Sequence, residues 1–234
     1  MKSFWKDILY RNAYLLIGAA WVFTLSFIFS NYWSYTSSPK GVRKNLENYL
    51  SIHENAFSKI KADTAQLLRL VEYRQGETEM QKLSAMPWGL FVYELEEQGP
   101  INLRFWNTQE SLPTDQMLVR QDGEYFVDLP NGKYELIRRK LELRNHTNVL
   151  LLALIPVRRD YYLENDYLRS GFVDHPNVEN NYAIADQATD IPIRNSFGKS
   201  LFFLVQKDNT VLTNDWVTNL LRCGIGDHSV TIEI

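Results

Sequence analysis

The sequence predicts an α+β protein fixed to a membrane, and three stretches carry that prediction. Residues 13–33, AYLLIGAAWVFTLSFIFSNYW, are a mostly apolar, uncharged run of about 20 residues, the length a helix needs to cross a bilayer. From Leu46 to Val71 apolar residues recur at helical spacing. From Trp88 onward the pattern shifts to short aromatic and β-branched runs divided by turn residues, the signature of antiparallel strands.

The flanks of the first run fit a spanning helix. Lys2, Lys6 and Arg11 precede it, Trp33 and Tyr35 stand at the interfacial level after it, and backbone polar groups inside it are satisfied only by helix. Lys40, Arg43 and Lys44 nearly balance the basic residues of the N-terminus, which also holds Asp7. The short basic start followed by an apolar run still favours an inside N-terminus, because long domains after such a segment are translocated largely regardless of charge. Residues 1–12 are therefore expected in the cytoplasm and residues from about 34 onward outside it. A cleavable signal peptide is the competing reading, but the run is longer than a typical apolar region of that kind and no small-x-small site follows Trp33.

The charge balance excludes several function classes. With 25 Lys and Arg against 28 Asp and Glu, the net charge is −3 and both signs are dispersed, so no nucleic-acid partner is expected. Cys223 is the single cysteine, so an internal disulfide is impossible and no metal site can be built on paired thiolates. His53, His146, His175 and His228 are scattered without zinc-ligand spacing. Hydrolase, zinc-protease, P-loop and dinucleotide fingerprints are absent, and Gly224 to Gly226 is a lone glycine pair; neither catalysis, a metal nor a cofactor is expected. The acid pairs Glu94 with Glu96 and Asp122 with Glu124 share strand faces in the manner of solvated surface residues.

After the polar break SYTSSP, the stripe Leu46, Leu50, Phe57, Ile60, Leu67 and Val71, completed by His53 and Thr64, predicts an amphipathic helix over 42–75 that ends near Gly76. It either docks on the domain's own sheet, which is favoured, or pairs with the same helix of a second subunit. His53 in the stripe reads as a partly exposed or hydrogen-bonded histidine rather than a pH sensor. WGLFVYEL (88–95) and INLRFW (101–106) flank EEQGP and read as a hairpin, followed by a polar loop over 107–116. MLVR (117–120) and EYFVDL (124–129) read as strands, and Asn131-Gly132 suits a type I′ turn. YELIRRKLEL (134–143) predicts a strand wet on one side, and VLLLALIPV (149–157) a central strand covered on both faces. A short helix is expected from about Asp160 to Gly171, then an irregular stretch to Ile193 and a last core strand, KSLFFLV (199–205). Residues 206–234 form a tail without clear pattern.

The order of these segments, and IPVRRDYYLENDYLRSGF above all, resembles the extracytoplasmic sensing region of bacterial membrane-bound sensor histidine kinases of the Bacteroidetes type, a divergent PAS-like or Cache-like module. The matching positions in that piece are Tyr162, Glu164, Asn165, Tyr167, Leu168 and Phe172, and the likeness covers roughly residues 40–205. It implies a ligand- or stress-sensing domain, with a flanking helix on the sheet, between two membrane helices and coupled to a cytoplasmic kinase; this chain is instead expected to be single-pass in the bacterial inner membrane, with the domain facing the periplasm. In such a sheet the concave face holds the ligand, so Arg104, Trp106, Tyr134, Arg138 and Arg158 are the candidate ligand-binding residues, able to supply stacking and anion contacts. Tyr162, Asn165 and Tyr167 are expected to lock the helix after the central strand onto the sheet. After residue 205 no second span, phosphoacceptor helix or glycine-rich nucleotide segment is expected, so this chain would sense a small-molecule or protein ligand without phosphorylating. The rival reading is an anchored scaffold or assembly protein of the cell envelope with no small-molecule pocket.

Overall fold

A computed structural model of the chain describes residues 13–36, 38–96, 99–143, 146–165, 168–176 and 178–207. The tail, with Cys223, His228 and the glycine pair, and the basic N-terminus lie outside the described residues.

The first helix, α1, runs Ala13–Thr36, and its principal contact is with the next helix, α2 (Pro39–Ala62). Its described side chains are all exposed, including Trp21, Phe23, Phe27 and Phe29. Among the described residues no helix is long and apolar enough to cross a membrane. The fold thus contains the helix expected over 13–33 but shows no membrane-spanning helix.

The helix expected over 42–75 is two helices. Ser38 caps α2, its hydroxyl accepting from Gly41 N at 3.1 Å, and Pro39 fits the first turn because its missing N–H is not needed there. At Asp63 (φ −86°, ψ 79°) the chain breaks, and the carboxylate accepts from Gln66 N at 2.9 Å to start α3 (Thr64–Val71). A short acid able to cap a new N-terminus outweighs the continuous stripe. Gly76 does not close this helix. Tyr73 turns the chain with φ 56°, and Gly76 instead precedes α4 (Glu77–Ser84), a helix absent from the sequence expectation.

A hairpin of β1 (Gly89–Leu95) and β2 (Ile101–Trp106) follows, as predicted. MLVR forms no strand: it lies in α5 (Asp115–Val119), whose Met117 covers one sheet face. Then come β3 (Gly123–Leu129), β4 (Gly132–Glu142) and β5 (Asn148–Arg159), and the antiparallel sheet has the order β2-β1-β5-β4-β3. The β3–β4 turn is not type I′, since Tyr73 and His146 are the only described non-glycine residues with positive φ and Asn131 is not among them. Gly132 carries the unusual conformation instead, at φ 145°, and a Cβ there would sit 2.2 Å from Arg158 O. Gly132→Ala is therefore expected to lower the unfolding free energy by at least ~1 kcal/mol, read as an earlier urea midpoint.

The central position of β5 follows from its composition. Val149, Leu151, Ala153 and Ile155 face one core, and Leu150, Leu152 and Leu154 face the other. A proline is awkward in a central strand; Pro156 is accommodated beside a register shift at Lys133/Tyr134, and its carbonyl accepts from Tyr49 Oη of α2 at 2.9 Å.

The helix expected after Asp160 is absent. Residues 160–165 and 168–170 are irregular and lead into β6 (Gly171–Phe172), which pairs with the end of β5. The segment has no apolar side to bury, with Tyr162 fully exposed and Leu163 75 % exposed, so Tyr162 locks nothing onto the sheet. Side chains satisfy its backbone instead: Ser170 Oγ accepts from Tyr161 N, Glu164 from Ser170 N, and Asn165 from Leu168 N. Tyr167 lies outside the described residues. The stretch expected to be irregular holds α6 (Val178–Asn181), β7 (Tyr182–Ala185) and β8 (Ile191–Arg194). With β9 (Ser200–Gln206) these strands make a second antiparallel sheet, β7-β9-β8. The last strand thus exists where expected but belongs to a separate sheet. Helices α2 and α3 and the small sheet enclose the larger core against one face of the main sheet, so the stripe docks on its own domain.

Candidate functional site

A cavity of about 160 Å³ opens at the end of the main sheet, between the α4–β1 connector, the loop after β2 and the ends of β4 and β5. Its walls include Ser84, Trp88, Ser111, Tyr134, Pro156 and Arg159. A space of ~150 Å³ holds a guest the size of benzene. A larger groove of about 390 Å³ lies over α3 and α4, but it is an open surface whose Arg69 and Glu79 already form a two-point ion pair.

Two asparagines build the walls of the small cavity. Asn107 Oδ1 accepts from Leu90 N at 2.7 Å, while its Nδ2 donates to Leu83 O at 2.9 Å and Trp88 O at 3.0 Å. One side chain thereby joins α4, β1 and the exit of β2. Asn131 Oδ1 accepts from Ser111 Oγ at 2.6 Å, and its Nδ2 donates to Glu110 O at 2.6 Å, pulling the polar loop over the sheet end. Arg159 then closes the wall, its Nη2 donating to Glu110 Oε2 at 3.0 Å. The Nε–H of Arg159 is buried without a partner among the described residues. An unmade hydrogen bond at a buried cationic donor is costly, and a bound acceptor would remove that cost. Tyr134 is buried beside it, and burial holds its phenol above the ordinary range.

Of the five residues singled out from the sequence, Tyr134 lines this cavity and the other four do not. Arg104 is occupied by Glu94, its Nε 2.7 Å from Oε2, and lies against Tyr73. Trp106 ends the edge strand β2, 45 % exposed. Arg138 pairs with Asp122 and donates through Nη2 to Leu118 O at 2.9 Å, satisfying a carbonyl of α5. Arg158 is held by Asp160 and Glu179. Its neighbour Arg159 is the residue at the cavity, and the bulge beside Pro156 that decides which arginine reaches it leaves no mark in the residue pattern. The acid pairs are occupied as well: Glu96 accepts from Asn102, and Glu124 from Arg139. No cluster of three His, Cys, Asp or Glu suited to a metal occurs among the described residues.

A second polar feature lies inside the larger core. Glu54 of α2 is 3 % exposed and Glu135 of β4 is fully buried, and their carboxyl groups are within hydrogen-bonding reach of one another. Glu54 Oε2 accepts from the backbone N of Ser196 at 2.8 Å and from its hydroxyl. Glu54 Oε1 and both oxygens of Glu135 have no donor among the described residues. Burial first, then Glu54 and Glu124, push the Glu135 carboxyl well above the usual range, against the opposing pull of Arg139. The sequence does not single out Glu54, and it reads the strand that carries Glu135 as wet on one side. The second sheet, unforeseen, reaches this region: Ser196 donates to Glu54, and Phe202 stacks on Phe126 opposite Glu135. Comparison with protein-family models, with curated proteins and with solved structures finds no match for this chain.

Proposed function

We propose that this chain is a membrane-anchored, extracytoplasmic signal-sensing domain of the kind found in sensor histidine kinases, working by binding rather than by catalysis. The observation that carries the anchoring is α1: no acidic or basic residue from Ala13 to Thr36, and large apolar side chains left exposed along it. Surface of that kind is covered by lipid or by a partner, and the basic residues before it favour lipid with the N-terminus inside. The main antiparallel sheet, β2-β1-β5-β4-β3, behind a long helix supports a PAS- or Cache-like module, to which this chain adds a small second sheet. The sensed ligand is small, by the volume of the cavity, and presents a hydrogen-bond acceptor to Arg159 Nε.

The test is a thermal-shift panel of small anionic and polar metabolites on the full chain in detergent. A ligand at a hundred times its Kd stabilises by ~2.7 kcal/mol, a clear rise in Tm. Arg159→Lys keeps a cation for Glu110 but removes the Nε donor, and is expected to abolish the rise. If no compound raises Tm, the scaffold reading takes its place.

A further inference from the structure

We infer that Glu54 and Glu135 form a proton-sharing latch that joins α2 to both sheets, and that loss of its proton opens this junction. The inference stands on the buried pair alone and does not need α1 to lie in a membrane.

Three buried carboxyl oxygens of this pair, Glu54 Oε1 and both of Glu135, have no donor among the described residues. Two carboxylates cannot be held in contact in an apolar setting, whereas a protonated Glu135 donates to Glu54 and turns repulsion into a hydrogen bond. Among the described residues no cation is bonded to either carboxyl, and Arg139 only opposes the Glu135 shift at a distance. From β3 comes Glu124, already paired with Arg139 of β4, and from α2 comes Tyr49, whose phenol burial raises. The β8–β9 turn brings Ser196, the donor to Glu54, and Lys199, whose Nζ is engaged by the Glu124 carbonyl at 2.6 Å. Phe126, which stacks on Phe202 at 4.6 Å, and Ile155 stand opposite Glu135 in register and keep the site dry.

The position of the pair gives its proton mechanical meaning. Glu54 ties the β8–β9 turn to α2, and Glu47 on the same helix accepts from Arg194 N at 3.2 Å. The same two carboxyls bring α2 against β4 of the main sheet. When the proton leaves, two like charges share a buried site, and relief comes by moving α2 and the turn away from β4. Helix α1 directly precedes α2, so that movement reaches it.

The test uses the full chain in detergent. The infrared difference spectrum between mildly acid and alkaline buffer is expected to show a protonated-carboxyl C=O band that titrates well above the ordinary carboxyl range and is missing in Glu135→Gln. Amide exchange of the 195–199 turn and of α2 around Glu54, corrected for the intrinsic rate, should rise by up to about tenfold per pH unit between the ordinary carboxyl range and that midpoint and level off beyond it. Glu135→Gln should hold it flat. Absence of the band, or the same pH-dependent exchange in Glu135→Gln, overturns the latch. If Glu135→Gln does not fold, Glu54→Gln keeps an acceptor for Ser196 and removes one charge: the band's midpoint must fall, and an unmoved midpoint overturns the latch.

Discussion

Leu151→Ala is expected to destabilise the domain by ~2–5 kcal/mol, enough to take most of the stability of a chain whose total lies in the usual range of ~5–15 kcal/mol. Leu151 is fully buried in the central strand, flanked in register by Val92 of β1 and Arg139 of β4, and belongs to the core shared by α2, α3 and both sheets. Truncation leaves a void that rigid neighbours on three sides fill poorly. Leu163→Ala is the matched control. That leucine is 75 % exposed in the irregular segment after Arg159, and its loss should shift stability by no more than ~0.5 kcal/mol. Urea unfolding of the two variants separates them. A small effect at Leu151 would show that the two cores do not meet on β5.

The second large effect is on pH. Glu135 has a folded-state pKa well above its ordinary 4.5, so the folded protein holds a proton that the unfolded chain gives up. Its contribution to stability is complete below about 4.5 and is lost as pH rises through the folded-state value, at ~1.4 kcal/mol for each unit of difference. His53 opposes this on the acid side. Its pKa is lowered by burial, against the pull of Asp174, so its contribution is present above about 6.5 and fades as pH falls through the lowered value. Above roughly 6.5 the imidazole is neutral in both states, and the slope belongs to the carboxyl. The expected result is a wild-type Tm that declines as pH rises above the ordinary carboxyl range until the folded-state value is passed, a decline that Glu135→Gln lacks.

Strands covered on both faces were readable because a continuous apolar run admits few alternatives: β5 lies where VLLLALIPV places it, and the β1–β2 hairpin follows from two aromatic runs around EEQGP. What escaped the sequence depends on partners far along the chain. Periodicity alone joins α2 and α3, but Asp63 divides them by capping a new N-terminus. Tyr162 and Leu163, read at helical spacing, have no surface to pack against, so local side-chain bonds prevail in the described part of that segment. Strands β7 and β8 are four residues each and carry Ala183, Ala185 and Pro192, too short and too mixed to stand out before β9 pairs with them. The candidate site was legible at Tyr134 alone. Arg159 differs from Arg158 only by the register of a bulge, and Asn107 and Asn131 look like ordinary loop residues until their side-chain hydrogen bonds, three and two, are seen.

Everything proposed for this domain as a receptor requires that α1 stay in the bilayer and that the sheets lie on its outer side. Protease treatment of intact bacterial spheroplasts tests this directly. The account predicts that the domain over residues 40–205 is degraded together with a periplasmic control while a cytoplasmic control survives. Survival of the domain under conditions that destroy the periplasmic control would contradict it.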